Sequence, residues 1–319
     1  IEFDQGHAMT SSQLGLICLF LFAAAQGARD AFFGKVFQST SFLLVAVMAF
    51  GLSLIVFAAS SLIRRPGEVR RLIERRTSLA LLNGTTAAAW LSFFFGLKYL
   101  EPAVVATLFN GIGPLVVLIG GRLGWTSART RLSRAEWSLY LGLAVSLAML
   151  SIVVLTNRSG MTGTDVTTQA LALLLVVFGG TMITASYIVT RDFTDAGFGS
   201  DTVMGARFLL TLVLAAGLEL MVGASHARPP VANLPVLALG TFALIVIPSF
   251  LVQFGVSRTT PLAANIFRAL GPVFVFAVQQ FDCRLQFSIA TLACIVAFCI
   301  FTVAASATRG WKEARAAIA

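Results

Sequence analysis

The sequence predicts an all-α membrane protein with ten transmembrane helices, arranged as two inverted repeats of five. Three observations lead to this fold class. Hydrophobic residues make up 57% of the chain and charged residues only 12%, with a mean hydropathy of +0.88. Ten apolar stretches are long enough to cross a bilayer, and a glycine and proline pattern in the first half returns in the second. A soluble domain could not hide so much apolar surface.

Each apolar stretch is roughly 20 residues, the length that an α-helix needs to cross a hydrocarbon core of about 30 Å. The first stretch lacks a small-residue cleavage site followed by a polar segment, so we expect a helix and no removable signal peptide. Pro102 is expected to begin the fourth helix, where its missing N–H costs nothing. The predicted helices are 12–34, 41–63, 78–98, 102–121, 136–156, 169–190, 201–223, 234–256, 260–281 and 285–306.

The predicted domain organisation follows from these helices. Residues 1–8 are interpreted as an expression-tag remnant ahead of Met9. The other units are a first five-helix repeat over 9–156, a linker over 157–168, a second repeat over 169–306 and a cytoplasmic tail over 307–319.

The distribution of Lys and Arg indicates the orientation in the membrane. Links after even-numbered helices, together with the C-terminal segment, contain 15 of the 23 Lys and Arg residues, and links after odd-numbered helices contain five. The positive-inside rule therefore places both termini in the cytoplasm. The isoelectric point near 10.3 reflects this topology, so we expect no nucleic-acid partner. The expected partners are a small-molecule substrate and the lipid bilayer, and the expected oligomeric state is a monomer.

Two segments nearly half a chain apart repeat each other. Gly96 and Pro102 in the first half have counterparts in Gly255 and Pro261, each at an offset of 159 residues. With five helices per half, the second half enters the membrane in the opposite sense, so the repeats are inverted. Duplicated membrane units of this kind are typical of secondary transporters.

Each repeated segment leads into an apolar run that a Gly-Pro pair interrupts. The pairs are Gly113-Pro114 in the first half and Gly271-Pro272 in the second. Proline removes a backbone hydrogen bond and kinks a helix, and glycine tolerates the altered backbone. The pairs are therefore candidate hinges, or else static kinks that shape a cavity.

These features carry a resemblance to a known family. A chain of ten helices with both termini inside, a five-plus-five repeat and the segments Pro102 to Pro114 and Pro261 to Pro272 resembles the drug/metabolite transporter superfamily, EamA-type. In size and layout it is similar to bacterial amino-acid exporters of the YddG type. The resemblance implies a multi-pass inner-membrane carrier, without a cofactor, that exports amino acids, aromatic ones favoured, and similar small metabolites by alternating access. It also implies a central cavity walled by helices one, three, four, six, eight and nine.

Polar and aromatic residues inside the apolar stretches are the candidates for substrate binding, because a buried polar group in a bilayer is costly. Arg268 can hold a carboxylate by two parallel hydrogen bonds, or it caps the carbonyls of a broken helix. Asn265 lies three residues earlier on the same helix face. Trp90 can stack on an aromatic substrate, or it packs in the core or against lipid. The other candidates are Asn83, Phe109, Asn110, Tyr187 and Gln253.

Charged residues toward the outer side suggest a gate and a mode of energy coupling. Arg29 and Asp30 are expected near the outer end of the first helix, as a polar gate or as a local ion pair. No acidic residue lies clearly at the midplane of the bilayer. We therefore expect gradient-driven export and favour proton antiport less.

Two alternative functions stay open. A carrier of anionic metabolites, such as nucleotide sugars or sugar phosphates, would be favoured by several basic residues in one cavity. A membrane enzyme or a scaffold subunit would need a catalytic cluster or a large polar domain. The sequence contains no nucleotide-binding, metal-ligand or nucleophile motif, so we expect neither an enzyme nor a metal site.

Overall fold

A computed structural model describes residues 10–122, 133–222, 233–256, 258–259 and 261–318. The predicted tag remnant lies outside the described residues, as do the side chains of Gln253 and Asn265. Within the described residues all regular structure is helical. The helices are α1 (Ser11–Val36), α2 (Phe42–Arg64), α3 (Pro66–Glu74), α4 (Arg76–Tyr99), α5 (Pro102–Arg122), α6 (Arg134–Leu155), α7 (Val166–Asp195), α8 (Ser200–Arg207), α9 (Leu209–Val222), α10 (Leu234–Val256), α11 (Pro261–Gln279) and α12 (Ile289–Ile318).

Among the described residues, nine helical spans are long and apolar enough to cross a membrane. They are α1, α2, α4 to α7, the pair α8 and α9 taken as one span, α10 and α12. Helix α11 corresponds to the predicted ninth helix, and its apolar section, Ile266–Gln279, is shorter. The prediction of an all-α, multi-pass membrane protein is confirmed. The ten-helix inverted repeat and the cytoplasmic termini remain predictions.

Local sequence signals set the starts of several helices. Thr10 caps α1 through its side-chain oxygen, which accepts from the backbone N–H of Gln13 at 3.3 Å. Asp165 caps α7 in the same way, accepting from Thr168 at 2.9 Å. Side-chain oxygens at this position satisfy backbone donors that have no partner within the helix. Pro102 begins α5, as predicted.

Two elements differ from the predicted boundaries. Residues 66–74, expected to be a link, form the short helix α3, which starts with Pro66 at its first position. The segment 307–319, expected to be a tail, continues α12 as far as Ile318. That segment is rich in Ala, Arg, Lys and Glu, which favour a helix strongly enough to extend it beyond the apolar stretch.

The predicted seventh helix is interrupted at Phe208, which separates α8 from α9. Asn83 of α4 stabilises this interruption through two hydrogen bonds. Its Nδ2 donates to the Ala206 carbonyl at 2.8 Å, and its Oδ1 accepts from the Leu210 N–H at 3.1 Å. The side chain thus replaces hydrogen bonds that the interrupted helix does not make itself, as the apolar surroundings require.

Phenylalanine side chains from α1, α2 and α4 form much of the core. The ring of Phe94 lies 5.3 Å from that of Phe33, 5.1 Å from Phe37 and 5.8 Å from Phe50, measured between centroids. All four side chains are fully buried. Aromatic pairs at these distances add about 0.5–1.5 kcal/mol each beyond their burial. They hold α4 in the middle of the bundle, next to α7.

We call the end of the bundle at which α2 ends and α4 begins the basic end, and the end at which α5 begins the opposite end. At the basic end, Glu68 of α3 accepts hydrogen bonds from Gly199 N at 2.8 Å and Thr202 Oγ1 at 2.7 Å. Desolvation raises the pKa of Glu68, but these bonds and that from Arg65 outweigh it, so the pKa lies below its usual range. Helix α3 is thereby tied to the turn between α7 and α8.

Close helix packing makes one glycine critical, and a second glycine of the same span provides its control. A Cβ at Gly205 would lie 2.9 Å from the Ala58 nitrogen and 3.0 Å from the Phe57 carbonyl carbon, whereas one at Gly217 meets nothing within 4 Å. We expect Gly205→Ala to cost about 1–3 kcal/mol, because α2 must move away. Thermal unfolding in detergent measures this cost. Gly217→Ala should not lower the unfolding temperature, and equal effects of the two changes would contradict the packing.

Candidate functional site

A cavity of about 550 Å³ lies in the half of the bundle toward the basic end. Five helices line it: α5, α6, α7, α11 and α12. They correspond to the predicted helices four, five, six, nine and ten, so helices one, three and eight do not wall this cavity as expected. Its lining includes Phe109, Asn110, Gly113, Pro114, Tyr140, Thr184, Tyr187, Arg191, Arg268, Phe298, Thr302, Ser306 and Arg309. A volume of this size suits a small metabolite.

Among the described residues, the charged part of the lining is entirely basic. Arg191 of α7, Arg268 of α11 and Arg309 of α12 contribute, and no acidic side chain is among the residues that line the cavity. Arg191 lies 3.7 Å from Asp195, but both side chains are exposed, so this ion pair contributes little. The three arginines therefore give the cavity a positive potential, which attracts anions.

Arg268 lies at the inner part of this arrangement. Its guanidinium carbon is 5.2 Å from the centre of the Tyr187 ring, a distance at which a cation is attracted to an aromatic face. The ring orients the guanidinium without using its hydrogen-bond donors. Those donors can hold a carboxylate or phosphate in a bidentate manner.

Each of the two Gly-Pro pairs removes one regular helical hydrogen bond beside the cavity. Pro114 has no N–H to donate to the carbonyl of Asn110, and Pro272 has none for the carbonyl of Arg268. Asn110 and Arg268 both line the cavity, 158 residues apart in the two halves. Both prolines lie inside helices that continue past them. Matching helix defects thus meet at one site.

Neutral polar groups supply further acceptors. Asn110 donates from Nδ2 to the Ala106 carbonyl at 2.8 Å, which leaves its side-chain oxygen oriented as an acceptor. Thr184 and Thr302 donate their hydroxyl protons to the carbonyls four residues earlier, both at 2.8 Å. Their oxygens can still accept a hydrogen bond from a bound molecule.

The opposite end is closed by a buried network around Glu101, which is 0% exposed. Its Oε1 accepts from Gln279 Nε2 at 2.5 Å, and its Oε2 accepts from Gly160 N at 2.7 Å and Thr291 Oγ1 at 3.1 Å. Gln279 in turn accepts from the Ala103 N–H at 3.0 Å. Burial raises the pKa of Glu101, while the three hydrogen bonds act in the other direction. The network joins α5 to α11 and α12.

Further hydrogen bonds strengthen this closure. Arg284, after α11, donates to the Gly34 carbonyl of α1 at 3.2 Å and forms an ion pair with Asp282. Ser288 donates to the Arg158 carbonyl at 2.7 Å. The described side of the molecule around Glu101 is therefore tightly bonded, while the cavity occupies the other half.

The structure brings together part of the predicted binding set. Arg268, Asn110, Phe109 and Tyr187 line one cavity, and of the predicted hinges Gly113 and Pro114 do so as well. Gly271 and Pro272 are buried nearby in α11, where a Cβ at Gly271 would lie 3.7 Å from Oε1 of Gln26.

Other predicted residues lie away from the cavity lining. Asn83 braces the interruption between α8 and α9. Trp90 packs edge-on against Phe50, Phe93 and Phe94, with centroid distances of 5.3, 5.8 and 5.6 Å. Packing in the core was the alternative interpretation of Trp90, and the aromatic contacts of its ring agree with it.

Arg29 and Asp30 form an ion pair, which was one of the two interpretations of these adjacent residues. Arg29 Nε donates to Asp30 Oδ1 at 2.7 Å, with 12% of the arginine side chain and none of the aspartate exposed. Arg29 also lies over the rings of Trp90, at 5.5 Å, and Phe93, at 5.7 Å. The pair is interior to the bundle, between the aromatic core and α11.

Three residues at the two ends were not assigned a role from the sequence. In the sequence, Arg191 and Arg309 indicate only the orientation in the membrane. Charges at helix ends do not show whether they share a cavity. Glu101 stands where the second repeat has Thr260, and this difference between otherwise matching segments was the available signal. A carboxylate at a buried junction needs donors, and only the packing of distant segments supplies them.

The comparisons with known proteins support the fold and leave the function open. No family model matches the sequence, and no curated protein matches it. A solved structure described only as "Crystal structure of protein" superposes with a TM-score of 0.61 at 18% sequence identity. The match covers 95% of this chain and 98% of that one. The arrangement of helices is therefore one that an experimentally solved protein adopts.

We expect Glu101→Ala to loosen the opposite end, because it leaves three buried donors without their acceptor. A lost buried hydrogen bond to a charged group costs about 1.5–3 kcal/mol, enough to raise the open population at least tenfold. A cysteine at Ala103, which is 0% exposed, reports this through labelling by a membrane-impermeant maleimide after the four native cysteines are replaced.

The matched control is Glu219→Ala at the same end, since Glu219 accepts from Ser41 at 2.5 Å and is only half-buried. It should leave the labelling rate unchanged. Slow labelling in both variants would contradict a closing role for Glu101.

Proposed function

We propose that the protein is a secondary transporter that moves small organic anions across a membrane by alternating access. The observation that carries this proposal is a cavity with three arginines, no acidic lining residue and aromatic walls, at one end of a multi-pass bundle whose other end is closed. A carrier needs such a state, open toward one side and sealed toward the other.

The basic lining is the condition under which the sequence favoured an anionic substrate. A carboxylate or phosphate can be held by Arg268, with Arg191 and Arg309 nearer to the mouth attracting it from solution. Nucleotide sugars and sugar phosphates remain the examples of this class, and the lining suits any small metabolite with one or two negative charges.

Amino acids, aromatic ones above all, are the second candidate. Phe109, Tyr140, Tyr187 and Phe298 line the cavity and offer faces for an aromatic side chain. The carboxylate of an amino acid would bind Arg268, and its ammonium group would depend on the neutral oxygens of Asn110 and the threonines. The described lining contains no carboxylate to pair with the ammonium group. It therefore stabilises an ammonium group less than it would stabilise a second anionic group.

This proposal includes membership of the drug/metabolite transporter superfamily, an inverted five-plus-five repeat and a place in the bacterial inner membrane. The matching Gly-Pro defects of α5 and α11 support it, since they meet at one site from the two halves. Orientation by the positive-inside rule would open the cavity to the cytoplasm, which suits export.

Uptake into proteoliposomes tests the proposal, with a labelled dicarboxylate, a sugar phosphate and phenylalanine as probes. We expect saturable uptake of an anion, which Arg268→Ala reduces at least about tenfold, the effect of losing about 1.5–3 kcal/mol of charge-assisted hydrogen bonding. Arg122→Ala is the control, because Arg122 lies at the basic end over Trp137 and outside the cavity lining.

The outcomes separate the candidates. Uptake of phenylalanine and of no anion would replace the anion by an amino acid as substrate. Equal losses in both arginine variants would reject the cavity as the binding site. Failure of every probe to show saturable uptake would contradict the transport of small organic anions or amino acids.

A further inference from the structure

One buried acidic group plays no part in the cavity or in the closure of the opposite end. Asp30 of α1 is 0% exposed inside a membrane span. Its Oδ1 accepts from Arg29, whereas its Oδ2 is fully buried and has no hydrogen-bond partner among the described residues. An unsatisfied oxygen of a carboxylate in an apolar interior is costly, so it calls for a ligand at some stage of the protein's work.

The helix faces around Asp30 locate it at a seam between the two halves of the chain. Gly27 and Gly34 lie one turn to either side of it on the same face of α1. A Cβ at Gly27 would lie 2.8 Å from the carbonyl carbon of Phe274 in α11, and one at Gly34 would lie 2.7 Å from Cγ of Pro102 in α5. Asp30 therefore faces the region where α1 and α5 of the first half meet α11 of the second.

The same contacts restrict the ligand. A metal cation needs several oxygen ligands and room for them, and the close approaches of the Phe274 backbone at Gly27 and of the Pro102 ring at Gly34 leave no such room. A proton needs no volume and satisfies the unpaired Oδ2 directly. Protonation also neutralises the Asp30 carboxylate and so releases the neighbouring Arg29 guanidinium from its ion pair.

The described helices around Asp30 contribute no second acid, and Gln26, one turn earlier, is a neutral polar neighbour of its carboxylate. Asp30 is the sole acidic residue of α1 and of the helices that pack against it, which are α4, α5, α10 and α11. Arg29 is the charged group in contact with it. Lys98 lies over the rings of Phe42 and Tyr99, and Arg268 lies over Tyr187. The remaining titratable side chains of α1 and of those helices are Cys18 and Lys35 in α1, Arg76 and Tyr99 at the two ends of α4, and Arg122 at the end of α5.

We propose that Asp30 is a proton-binding site of the transport cycle, where a proton and the Arg29 guanidinium alternate as partners of the carboxylate. The proposal rests on the transport function proposed above. When the halves move apart at the seam, water reaches Asp30 and a proton from water binds Oδ2. The proton leaves to water again in the state in which Arg29 reforms the pair, and no other bond changes. The sequence alone favours gradient-driven export over proton antiport, and the proposal departs from that expectation.

Arg29 provides the connection to the cavity. Its guanidinium lies over Trp90 and Phe93, and the ring of Phe93 lies 4.6 Å from that of Phe109, which lines the cavity. Release of Arg29 from Asp30 therefore changes the charge beside a series of aromatic contacts that reaches the cavity through Phe109.

Trp90 makes the protonation visible without any substrate. In a variant whose other tryptophans, Trp125, Trp137 and Trp311, are replaced by Phe, the fluorescence of Trp90 in detergent should change with pH as Arg29 is released. Asp30→Asn should abolish the titration, and Glu219→Gln should leave it intact. A pH-independent signal in the Trp90-only protein, or an unchanged titration in Asp30→Asn, would overturn the proposal.

A second measurement separates this proposal from the transport function itself. The ratio of uptake rates with and without a pH gradient is compared in proteoliposomes, using the anion that the wild type transports. The wild type and Glu219→Gln should give a ratio different from one, and Asp30→Asn a ratio of one. Uptake with a ratio of one in the wild type would reject proton coupling and keep the carrier, whereas absence of uptake with an intact Trp90 titration would reject the carrier and keep the proton site.

Discussion

Polar groups inside an apolar bundle must find their partners within the protein, because neither lipid nor water supplies them there. Glu101 expresses this constraint most directly. Its carboxylate is completely buried at the junction of α4 and α5, and its donors come from Gly160, Gln279 and Thr291, which are far apart in the sequence. To satisfy one carboxylate, the chain must bring α5, α11, α12 and the link before α7 to one place. The closure of the opposite end is the structural consequence.

The same constraint explains where the protein is left open. At the basic end, arginines of α7, α11 and α12 surround a cavity whose described lining contains no acidic side chain. Long cationic side chains there keep their charge near water while their stems cover apolar surface. Proline takes a donor from each of α5 and α11, so backbone carbonyls in the two halves also lack their helical partners beside this cavity. Cationic side chains and two helix defects are thus concentrated where a solute can reach them, whereas the unpaired Oδ2 of Asp30 lies buried at the seam between the halves.

The sequence predicted the parts of the fold that depend on local patterns. Hydropathy located the spans because bilayer thickness dictates helix length, and the capping and proline signals located starts such as Pro102. The interruption at Phe208 could not be predicted, because its hydrogen bonds are replaced by Asn83 from a helix more than a hundred residues away. The helical extension of α12 was overlooked because hydropathy reports burial in lipid and says nothing about Ala-rich helix beyond it.

The sequence predicted those site residues whose type is unusual within an apolar helix. Arg268 and Asn110 were identified because polar groups in apolar helices are costly, and both line the cavity. Trp90 is a candidate because it lies mid-span, away from the interface where tryptophan usually anchors a helix, but its ring packs in the aromatic core. Helix rotation cannot be deduced from composition. Arg191 and Arg309 were interpreted as orientation signals, because exposed charges at helix ends look alike whether they face lipid headgroups or a cavity mouth.

The central claim is that the two ends of the bundle open in alternation. The most direct test measures distances between spin labels in proteoliposomes, with one pair at Ser39 and Gln280 across the opposite end and another at Arg134 and Asp195 across the basic end. On adding a transported anion, a population should appear in which the first distance is longer and the second is shorter. Two distances that stay fixed while transport proceeds would contradict alternating access.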